Sequence, residues 1–204
     1  LFTVDTAAIE AGVKRNPWVR SVRVARVFPT SLSIELTERS IKAIVLTNTV
    51  EVAWYLGDDN CWIEPAALDS SQGSTTIEAA YARARELGCI LLENLPEGAM
   101  PEAGTVVEDA VFADVDEYLS GFSASFASQI VSFSMTSESA ISCTLENGVE
   151  ISLGAPDGDI AEKEAVATRI LSDHVNDVTY INVRVPSKPS YRKVGAPQPE
   201  YSEV

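Results

Sequence analysis

A change of hydrophobic period near the start of the chain constrains the fold more than any other feature. Ile9 and Val13 lie four residues apart, which is the spacing of one helix face, and Asp5 precedes them as a good N-cap. Pro17 then disfavours the helical conformation at the residue before it, and beyond it apolar residues recur at every second position. The pattern predicts a short helix, followed by an antiparallel hairpin with one buried face around the turn 28–31. The apolar residues of that face are Val22, Val24, Leu32, Ile34 and Leu36.

The rest of the chain mixes helical and strand patterns without an internal repeat. Helical spacing of apolar residues predicts helices at 76–87, 114–129 and 159–175. Alternation and short apolar runs predict strands at 43–56 with a break near Asn48, 61–63, 89–92, 130–135, 140–154 and 178–185. Gly88 is expected to cap the first of these helices, and Asp159 is expected to begin the last. Asn147-Gly148 predicts a type I′ turn between two strands.

The last predicted strand is the feature that most favours a binding function. Residues 178–185 are rich in strand-forming residues, and Pro186 and Pro189 follow them instead of another strand pattern. A C-terminal strand often lies at a sheet edge, where its unpaired N–H and C=O groups are available to a strand of another chain. An ordinary edge protected by Pro186, Lys188 and Pro189 is the alternative interpretation.

The composition limits the classes of partner. The net charge is −15, which argues against nucleic acid and anionic membrane surfaces as main partners. Hydrophobic residues make up 46% of the chain, enough for an ordinary globular core. No run of about 18 apolar residues occurs, so the sequence predicts no membrane span within these residues.

Residues suited to catalysis or metal binding do not cluster in the sequence. Cys61, Cys89 and Cys143 lack metal-ligand spacing. His174, the single histidine, is expected in the last turn of a helix, where it complements the helix dipole. The Asp-x-Asp pair at 157–159 lacks the other ligands of a calcium loop and suits turn and N-cap positions. We therefore expect no catalytic residue, no cofactor and no metal site.

A set of positions in the first 43 residues forms a family motif. Its members are Leu1-Phe2, Val4-Asp5, Ile9, Pro17-Trp18-Val19, Val22, Val24, Arg26, Phe28-Pro29-Thr30, Leu32, Ile34 and Glu38-Arg39. This set resembles the POTRA domain of the bacterial cell-division protein family FtsQ/DivIB. The chain departs from the family pattern at Ile41, where a proline is usual.

Later segments resemble the second domain of the same family, in the same order. They are the turn 55–63, the Leu-Pro segment 93–96, the hairpin 145–154, Glu162-Lys163 and the final strand region 180–192. Asn60 replaces the glycine of the family's turn, and asparagine tolerates the left-handed conformation expected there. Residues 66–88 look like an insertion relative to the family.

The resemblance implies an α+β fold with two domains. The expected parts are a POTRA module at 1–45 that lacks its first strand and first helix, a larger mixed α/β domain at 46–194 with a curved, mostly antiparallel sheet, and a disordered tail at 195–204. It also implies anchoring in the cell membrane through a single segment absent from this chain. The bulk of the protein would lie outside the cytoplasm, at the division septum. An oxidising location permits a disulfide, and Cys61 and Cys89 are the expected pair.

The resemblance implies a non-enzymatic divisome scaffold. Such proteins bind small bitopic coiled-coil division proteins of the FtsB/DivIC and FtsL types, and they help couple divisome assembly to septal peptidoglycan synthesis. The family's partner adds a strand at the end of the second domain. The expected partner-binding residues of this chain are Tyr180, Ile181, Asn182, Val183, Arg184, Val185, Ser187 and Tyr191.

Two other functions stay open at the level of sequence. The first is a POTRA-type chaperone or docking module of an envelope protein-translocation system. Such modules usually occur in tandem before a β-barrel, and one module followed by a mixed domain fits that pattern poorly. The second is an envelope hydrolase with a carboxylate pair, whose proximity in space a sequence does not reveal.

Overall fold

The first helix begins and ends where the sequence predicts. α1 (Thr6–Lys14) has Asp5 as its N-cap, and the Asp5 carboxylate accepts a hydrogen bond from the amide of Ala8 at 3.1 Å. The helix ends at Arg15, two residues before Pro17. The computed structural model describes residues 4–47, 52–69, 75–96, 99–156 and 158–195.

The chain divides into two compact units. The first contains residues 1–92 and 97–109, and the second contains residues 93–96 and 110–204. Both combine helices with strands that pair mostly antiparallel, which confirms the predicted α+β class. Three features considered in the sequence analysis lie outside the described residues: the predicted break at Asn48, the carboxylate of Asp157 and the predicted tail after Gly195.

The predicted antiparallel hairpin is present in the first unit. It consists of β1 (Val19–Val27) and β2 (Ser31–Glu38). The prediction that its apolar face is buried is wrong for β2. Three side chains of this strand are 36%, 55% and 49% exposed, namely Leu32, Ile34 and Leu36. The difference arises because α1 packs against β1, in which Val24 is buried, whereas the principal contacts of β2 among the described residues are with its partner strand β1.

A second group of strands completes the first unit. The strands are β3 (Ile41–Leu46), β4 (Ala53–Gly57), β5 (Trp62–Pro65) and β6 (Ile90–Glu93), in the order β6, β3, β4, β5. β4 is antiparallel to both of its neighbours, whereas β3 and β6 are parallel. The helix α2 (Thr76–Leu87) packs against β3, and its Ala80 and Ala84 join Ile44 and Tyr55 in a buried core.

The ends of α2 follow from local chemistry. The amide of Glu78 donates to the hydroxyl of Thr75 at 3.3 Å, and the amide of Thr75 donates to the carboxylate of Glu78 at 2.8 Å. This capping box satisfies two amides that the helix itself leaves unpaired. Gly88 ends the helix in the left-handed conformation, with φ of 65°, which confirms the predicted cap.

The second unit begins with two helices where the sequence predicts one. α3 (Ala110–Gly121) ends before Ser123, which is the N-cap of α4 (Ala124–Ala127). The amide and the hydroxyl of Ser123 both donate to the carboxylate of Glu164. The Ser123 hydroxyl also accepts a hydrogen bond from the amide of Phe126 at 3.3 Å. The prediction of one helix at 114–129 is wrong because a serine with such a local hydrogen bond favours a helix start over a helix interior.

Five strands and one long helix form the rest of the second unit. The strands are β7 (Ile130–Met135), β8 (Ile141–Leu145), β9 (Glu150–Ser152), β10 (Val178–Asn182) and β11 (Ser190–Lys193). They follow the order β11, β10, β9, β8, β7, and only β9 and β10 are parallel. α5 (Ile160–Asp173) connects these two strands, and Asp159 caps it as predicted.

The connection between β8 and β9 differs from its prediction. The amide of Gly148 donates to the carbonyl of Leu145 at 2.8 Å, and Gly148 has a φ of 82°. Asn147 lacks the positive φ that a type I′ turn requires, so the predicted turn type is wrong. The loop is a type I turn followed by a left-handed glycine. The Asn147 side chain stabilises it by accepting a hydrogen bond from the amide of Val149 at 3.1 Å.

All three cysteines are free thiols, so the predicted pairing of Cys61 with Cys89 is wrong. Cys61 forms an isolated bridge with Val106, whereas Cys89 follows α2 and packs beside the core of the first unit. The two thiols therefore lie in different surroundings within that unit. Burial raises the pKa of Cys61 and of Cys89, and it raises the pKa of Cys143 to about 12.

Candidate protein-binding edge

β11 is the outermost strand of the sheet in the second unit. It follows β10 through a turn in which the amide of Lys188 donates to the carbonyl of Val185 at 2.9 Å. Pro186 occupies the second position of this turn, where its restricted φ is favourable. The prediction that residues 178–185 form the last strand is therefore wrong. The proline helps to reverse the chain into a hairpin and does not end the sheet.

Side chains hold β11 on both faces. Arg192 lies opposite Tyr180, with its guanidinium carbon 5.1 Å from the centre of the tyrosine ring. On the other face, the ring of Tyr191 lies 4.6 Å from the ring of His174 at the C-terminal end of α5. These contacts on both faces fix the orientation of the short strand. The backbone groups on its outer side are therefore held in defined positions.

The backbone groups of β11 divide between an inner side and an outer side. The amide of Val194 donates to the carbonyl of Asp177 at 2.9 Å, on the side of β10. Consecutive residues of a strand direct their backbone groups to opposite sides, so Arg192 shares the inner side with Val194. The backbone groups of Tyr191 and Lys193 point outward. No strand among the described residues pairs with this outer side.

At two other strand edges in the described part of the chain, backbone groups are already hydrogen-bonded. The loop before α3, at residues 104–105, runs beside β5. There the amide of Trp62 donates to the carbonyl of Thr105 at 2.9 Å, and the amide of Gly104 donates to the carbonyl of Trp62 at 2.8 Å. On β1, the amide of Val24 donates to the carboxylate of Glu10 at 2.6 Å. These backbone groups are unavailable to a partner strand, in contrast to those on the outer side of β11.

Half of the residues predicted to bind a partner lie inside the sheet. Three of them belong to β10, which pairs with β9 on one side and β11 on the other: Tyr180, Ile181 and Asn182. Val183 is buried, and its amide donates to the carbonyl of Ser152 at 3.0 Å. The prediction that this strand is the sheet edge is wrong, because its backbone groups already pair with both neighbours.

The other predicted residues lie in exposed positions around the hairpin. They are Arg184, Val185, Ser187 and Tyr191. The sequence-based prediction missed Ser190, Arg192 and Lys193, which belong to β11. A strand of four mostly polar residues is too short to show hydrophobic alternation. The available signal was an aromatic residue among polar ones, two positions after the second proline.

A buried lysine supports the chain segment between β9 and α5. Lys163 is 1% exposed, and its Nζ donates to the carbonyls of Leu153 at 2.9 Å and Ala155 at 2.6 Å. The same Nζ lies 2.9 Å from the hydroxyl of Tyr118, which donates to the carbonyl of Ala155 at 2.8 Å. The donors of both side chains are directed at backbone carbonyls, so the cluster positions the segment that leads out of the sheet.

The hairpin region is basic although the chain is acidic. Residues 184–193 contain four cationic side chains and no carboxylate, whereas the whole chain has a net charge of −15. The four are Arg184, Lys188, Arg192 and Lys193. Such a local charge favours a partner segment that carries carboxylates.

The described residues offer little for other kinds of site. Within them, no three His, Cys, Asp or Glu side chains come together in a way that would hold a metal ion. None of the described helices has both the length and the apolar character needed to cross a bilayer. His174 is the C-cap residue of α5, and its ring contacts Tyr191.

Two family models match the chain. Residues 1–39 match a model described as POTRA domain, FtsQ-type, and residues 77–184 match one described as Cell division protein FtsQ/DivIB, C-terminal. The second match covers more than half of the chain. The fold and these matches define a cell-division protein with a POTRA domain. The chain belongs to the FtsQ/DivIB family.

Curated relatives named Cell division protein FtsQ match shorter stretches. The protein from Anaeromyxobacter sp. (strain K) is 42% identical over 45 residues, which is 22% of this chain and 15% of the relative. The protein from Myxococcus fulvus is 36% identical over 52 residues, 26% of this chain and 18% of the relative. The protein from Bradyrhizobium diazoefficiens is 35% identical over 65 residues, 32% of this chain and 18% of the relative. The chain thus spans less than a fifth of each of these relatives.

The match to the C-terminal domain corrects one sequence-based prediction. It begins at residue 77, inside α2, so the prediction that 66–88 are an insertion is wrong for 77–88. The helix packs small side chains, Ala80 and Ala84, against the core. Alanines on a helix face are a weak family signal, and this explains why the sequence motifs did not include them.

Proposed function

We propose that this chain is a non-enzymatic scaffold of the division machinery that binds FtsB/DivIC-type and FtsL-type proteins. The observation that carries the proposal is the accessible outer side of β11, toward which Tyr191 and Lys193 direct their backbone groups. Family membership supports a role in division, and the open edge supports binding by strand addition. Through this contact the protein helps couple divisome assembly to septal peptidoglycan synthesis.

In the proposed mechanism, an extended partner segment pairs with β11. Main-chain hydrogen bonds supply affinity, and side chains beside the strand set the register. The hairpin residues that contact the partner are six exposed ones and the half-buried Arg192. The exposed ones are Arg184, Val185, Ser187, Ser190, Tyr191 and Lys193. β10 pairs with the inner side of β11 through Tyr180, Ile181 and Asn182, and the buried Val183 directly follows β10.

The proposal extends to the organisation and location of the protein. The POTRA module comprises residues 1–45, and the FtsQ/DivIB-type domain comprises residues 46–194. The family matches at 1–39 and 77–184 support these two domains. In this proposal the protein is anchored in the cell membrane through a single spanning segment that lies outside the residues described by the structure. Its bulk lies outside the cytoplasm, at the division septum.

Calorimetric titration with the extracytoplasmic segment of the FtsB/DivIC-type protein from the same genome tests the proposal. Tyr191→Pro removes an outward N–H without removing a hydrogen bond to β10. Tyr191→Ala keeps that N–H and is the matched control, since both variants lose the ring contact with His174. We expect Tyr191→Pro to bind at least about tenfold more weakly than Tyr191→Ala, or ~1.4 kcal/mol. Equal affinities of the two folded variants would contradict strand addition at β11.

A proline at Val183 is a less informative test. The Val183 amide donates to the carbonyl of Ser152 inside the sheet, so the substitution would break pairing between β9 and the chain that leaves β10. Loss of binding would then follow from loss of the fold. The outward position of Tyr191 avoids this ambiguity.

The alternative function has weaker support. A POTRA-type chaperone or docking module of an envelope protein-translocation system would be expected to show further POTRA modules. Residues 77–184 instead match the C-terminal domain of a division family. This match favours the division scaffold.

A further inference from the structure

The turn end of the β1–β2 hairpin exposes large apolar side chains. Phe28, in the turn, is 72% exposed, and Val27, the last residue of β1, is 48% exposed. Leu32 follows on β2 and is also exposed. We call the segment 26–32 the hairpin tip. Adjacent exposed apolar side chains of this kind, unlike single scattered ones, mark a surface that contacts a partner or a membrane.

The same segment carries positive charge in an acidic chain. Residues 11–34 contain five cationic side chains and no carboxylate, whereas the whole chain has a net charge of −15. Arg26 adjoins Val27 and lies opposite Leu32 in the hairpin register, so it stands beside the exposed apolar side chains. Arg23 is a second exposed cation of β1 and lies opposite Glu35. Cations next to accessible apolar groups suit the interface of a bilayer with anionic lipids.

The carboxylates of α1, the helix that packs against β1, already accept hydrogen bonds. Asp5 caps α1 by accepting from the amide of Ala8 at 3.1 Å, and Glu10 accepts from the amide of Val24 at 2.6 Å. Arg26 donates through Nη2 to the carbonyl of Val4 at 2.5 Å. A guanidinium has five N–H donors, so this one contact positions Arg26 and leaves donors for lipid phosphate groups.

The carboxylates at the other end of the hairpin lie far from the tip. At that end Arg20 pairs with Asp58, and Nη1 of Arg39 donates to the carbonyl of Val19 at 2.7 Å. β1 runs for nine residues from there to the tip. Its length is about 27 Å at the usual rise per residue, whereas the Debye length is only about 8 Å at physiological ionic strength. Repulsion between these carboxylates and an anionic bilayer at the tip is therefore largely screened.

We infer that the tip of the β1–β2 hairpin contacts a bilayer that carries anionic lipids. Val27 and Phe28 enter the headgroup region, and Arg26 binds lipid phosphates beside them. The acidic chain as a whole is repelled by such a surface, which restricts the contact to the tip. A soluble polyanion would account for the arginines but not for the exposed apolar side chains. The inference is independent of strand addition at β11.

Co-sedimentation of the 204-residue chain with lipid vesicles tests the inference. One kind of vesicle contains phosphatidylcholine and phosphatidylglycerol in equal parts, and the other contains phosphatidylcholine alone. Phe28→Ser removes the aromatic ring, and Phe28→Trp keeps one. Met100→Ser, at another position that is 72% exposed, is the matched control. Arg26→Gln removes the charge, and Arg26→Lys keeps it. Circular dichroism checks the folding of each variant.

We expect the chain to bind the mixed vesicles at least about fivefold more tightly than vesicles of phosphatidylcholine alone. Phe28→Ser should bind the mixed vesicles at least about threefold more weakly than Met100→Ser, and Phe28→Trp should bind as tightly as the unaltered chain. Arg26→Gln should likewise bind at least about threefold more weakly than Arg26→Lys.

Each part of the inference has an outcome that overturns it. If the folded chain does not bind the mixed vesicles, the hairpin tip is not a membrane contact. Equal binding to both kinds of vesicle would overturn the preference for anionic lipids, and equal binding of Phe28→Ser and Met100→Ser would overturn insertion of the tip. If the chain ignores vesicles but self-associates in a way that Phe28→Ser abolishes, the surface joins copies of the chain instead.

Discussion

The Nε atom of Arg39 lies 3.0 Å from the carboxylate of Asp59, which joins the end of the β1–β2 hairpin to the turn between β4 and β5. Through Nη1 the same guanidinium donates to the carbonyls of Pro17 and Val19 at 2.6 and 2.7 Å. The Arg39 side chain is only 11% exposed. Its planar set of donors therefore connects three segments of the first unit, a task to which a lysine ammonium is poorly suited.

Replacing Arg39 by lysine should destabilise the fold. We expect a loss of ~1–3 kcal/mol in the free energy of unfolding, because part-buried carbonyls lose their donors. Urea unfolding measures the change. Arg20→Lys is the matched control, since Arg20 pairs with Asp58 in a more exposed setting, with side chains 46% and 37% exposed. Equal losses for the two variants would contradict a special role for Arg39.

The same pair predicts a dependence of stability on pH. Burial acts to raise the pKa of Asp59, but the hydrogen bond and the charge of Arg39 outweigh it, and the net pKa lies below the ordinary value of 3.8. A carboxylate with a lowered folded-state pKa contributes its full stability above the unfolded-state pKa. It loses that contribution as the pH falls through the folded-state pKa.

Asp59→Asn should therefore lower stability at neutral pH, and its difference from the unaltered chain should shrink as the pH falls from about 5 to about 2. Urea unfolding at a series of pH values measures this difference. If the difference in stability stays constant over the whole pH range, the charge of Asp59 does not cause the loss of stability in Asp59→Asn.

Gly57 and Gly12 should respond in opposite ways to alanine. A Cβ at Gly57 would lie 2.9 Å from Oδ1 of Asp59 and 3.0 Å from Cδ of Arg39, so Gly57→Ala should cost ~1–3 kcal/mol through crowding. A Cβ at Gly12, inside α1, would meet nothing within 4 Å, so Gly12→Ala should stabilise by ~0.5–1 kcal/mol. Thermal unfolding of both variants gives the comparison. Stabilisation by alanine at Gly57 would contradict the close packing of the turn.

Lys163 and Tyr118 should be energetically coupled. Lys163→Met and Tyr118→Phe should each cost ~1–3 kcal/mol, because each leaves buried carbonyls with fewer donors. Their 2.9 Å contact should give a coupling energy of ~0.5–3 kcal/mol in a double-mutant cycle of unfolding free energies. Lys193→Met is a control, since Lys193 makes an exposed pair with Asp177 and should contribute much less. Additive losses for Lys163 and Tyr118 would contradict a shared network.

Local chemistry in the sequence predicted the ends of several elements correctly. Asp5 and Asp159 accept hydrogen bonds from helix amides, and Gly88 takes the left-handed conformation at the end of α2. Asn60, which replaces a glycine of the family's turn, has a φ of 57°. Caps and turns of this kind depend on residues a few positions apart, so the chain itself contains the necessary information.

Features that depend on distant parts of the chain were predicted less well. The apolar face of β2 was expected to be buried because of its alternation, but burial also requires an element that covers it. β10 was expected to be an edge, but a four-residue strand beyond a proline turn lies outside it. Whether an edge is open depends on pairing that a local pattern does not encode, as the covered edge of β5 also illustrates.

Amide hydrogen exchange along β11 tests the central claim most directly. The amides of Tyr191 and Lys193 should exchange rapidly in the free chain, whereas those of Arg192 and Val194 should be protected by β10. On saturation with the extracytoplasmic FtsB/DivIC-type segment, exchange at Tyr191 and Lys193 should slow strongly, because their N–H groups then bond to the added strand. Unchanged exchange at these two amides in a saturated complex would contradict strand addition at this edge.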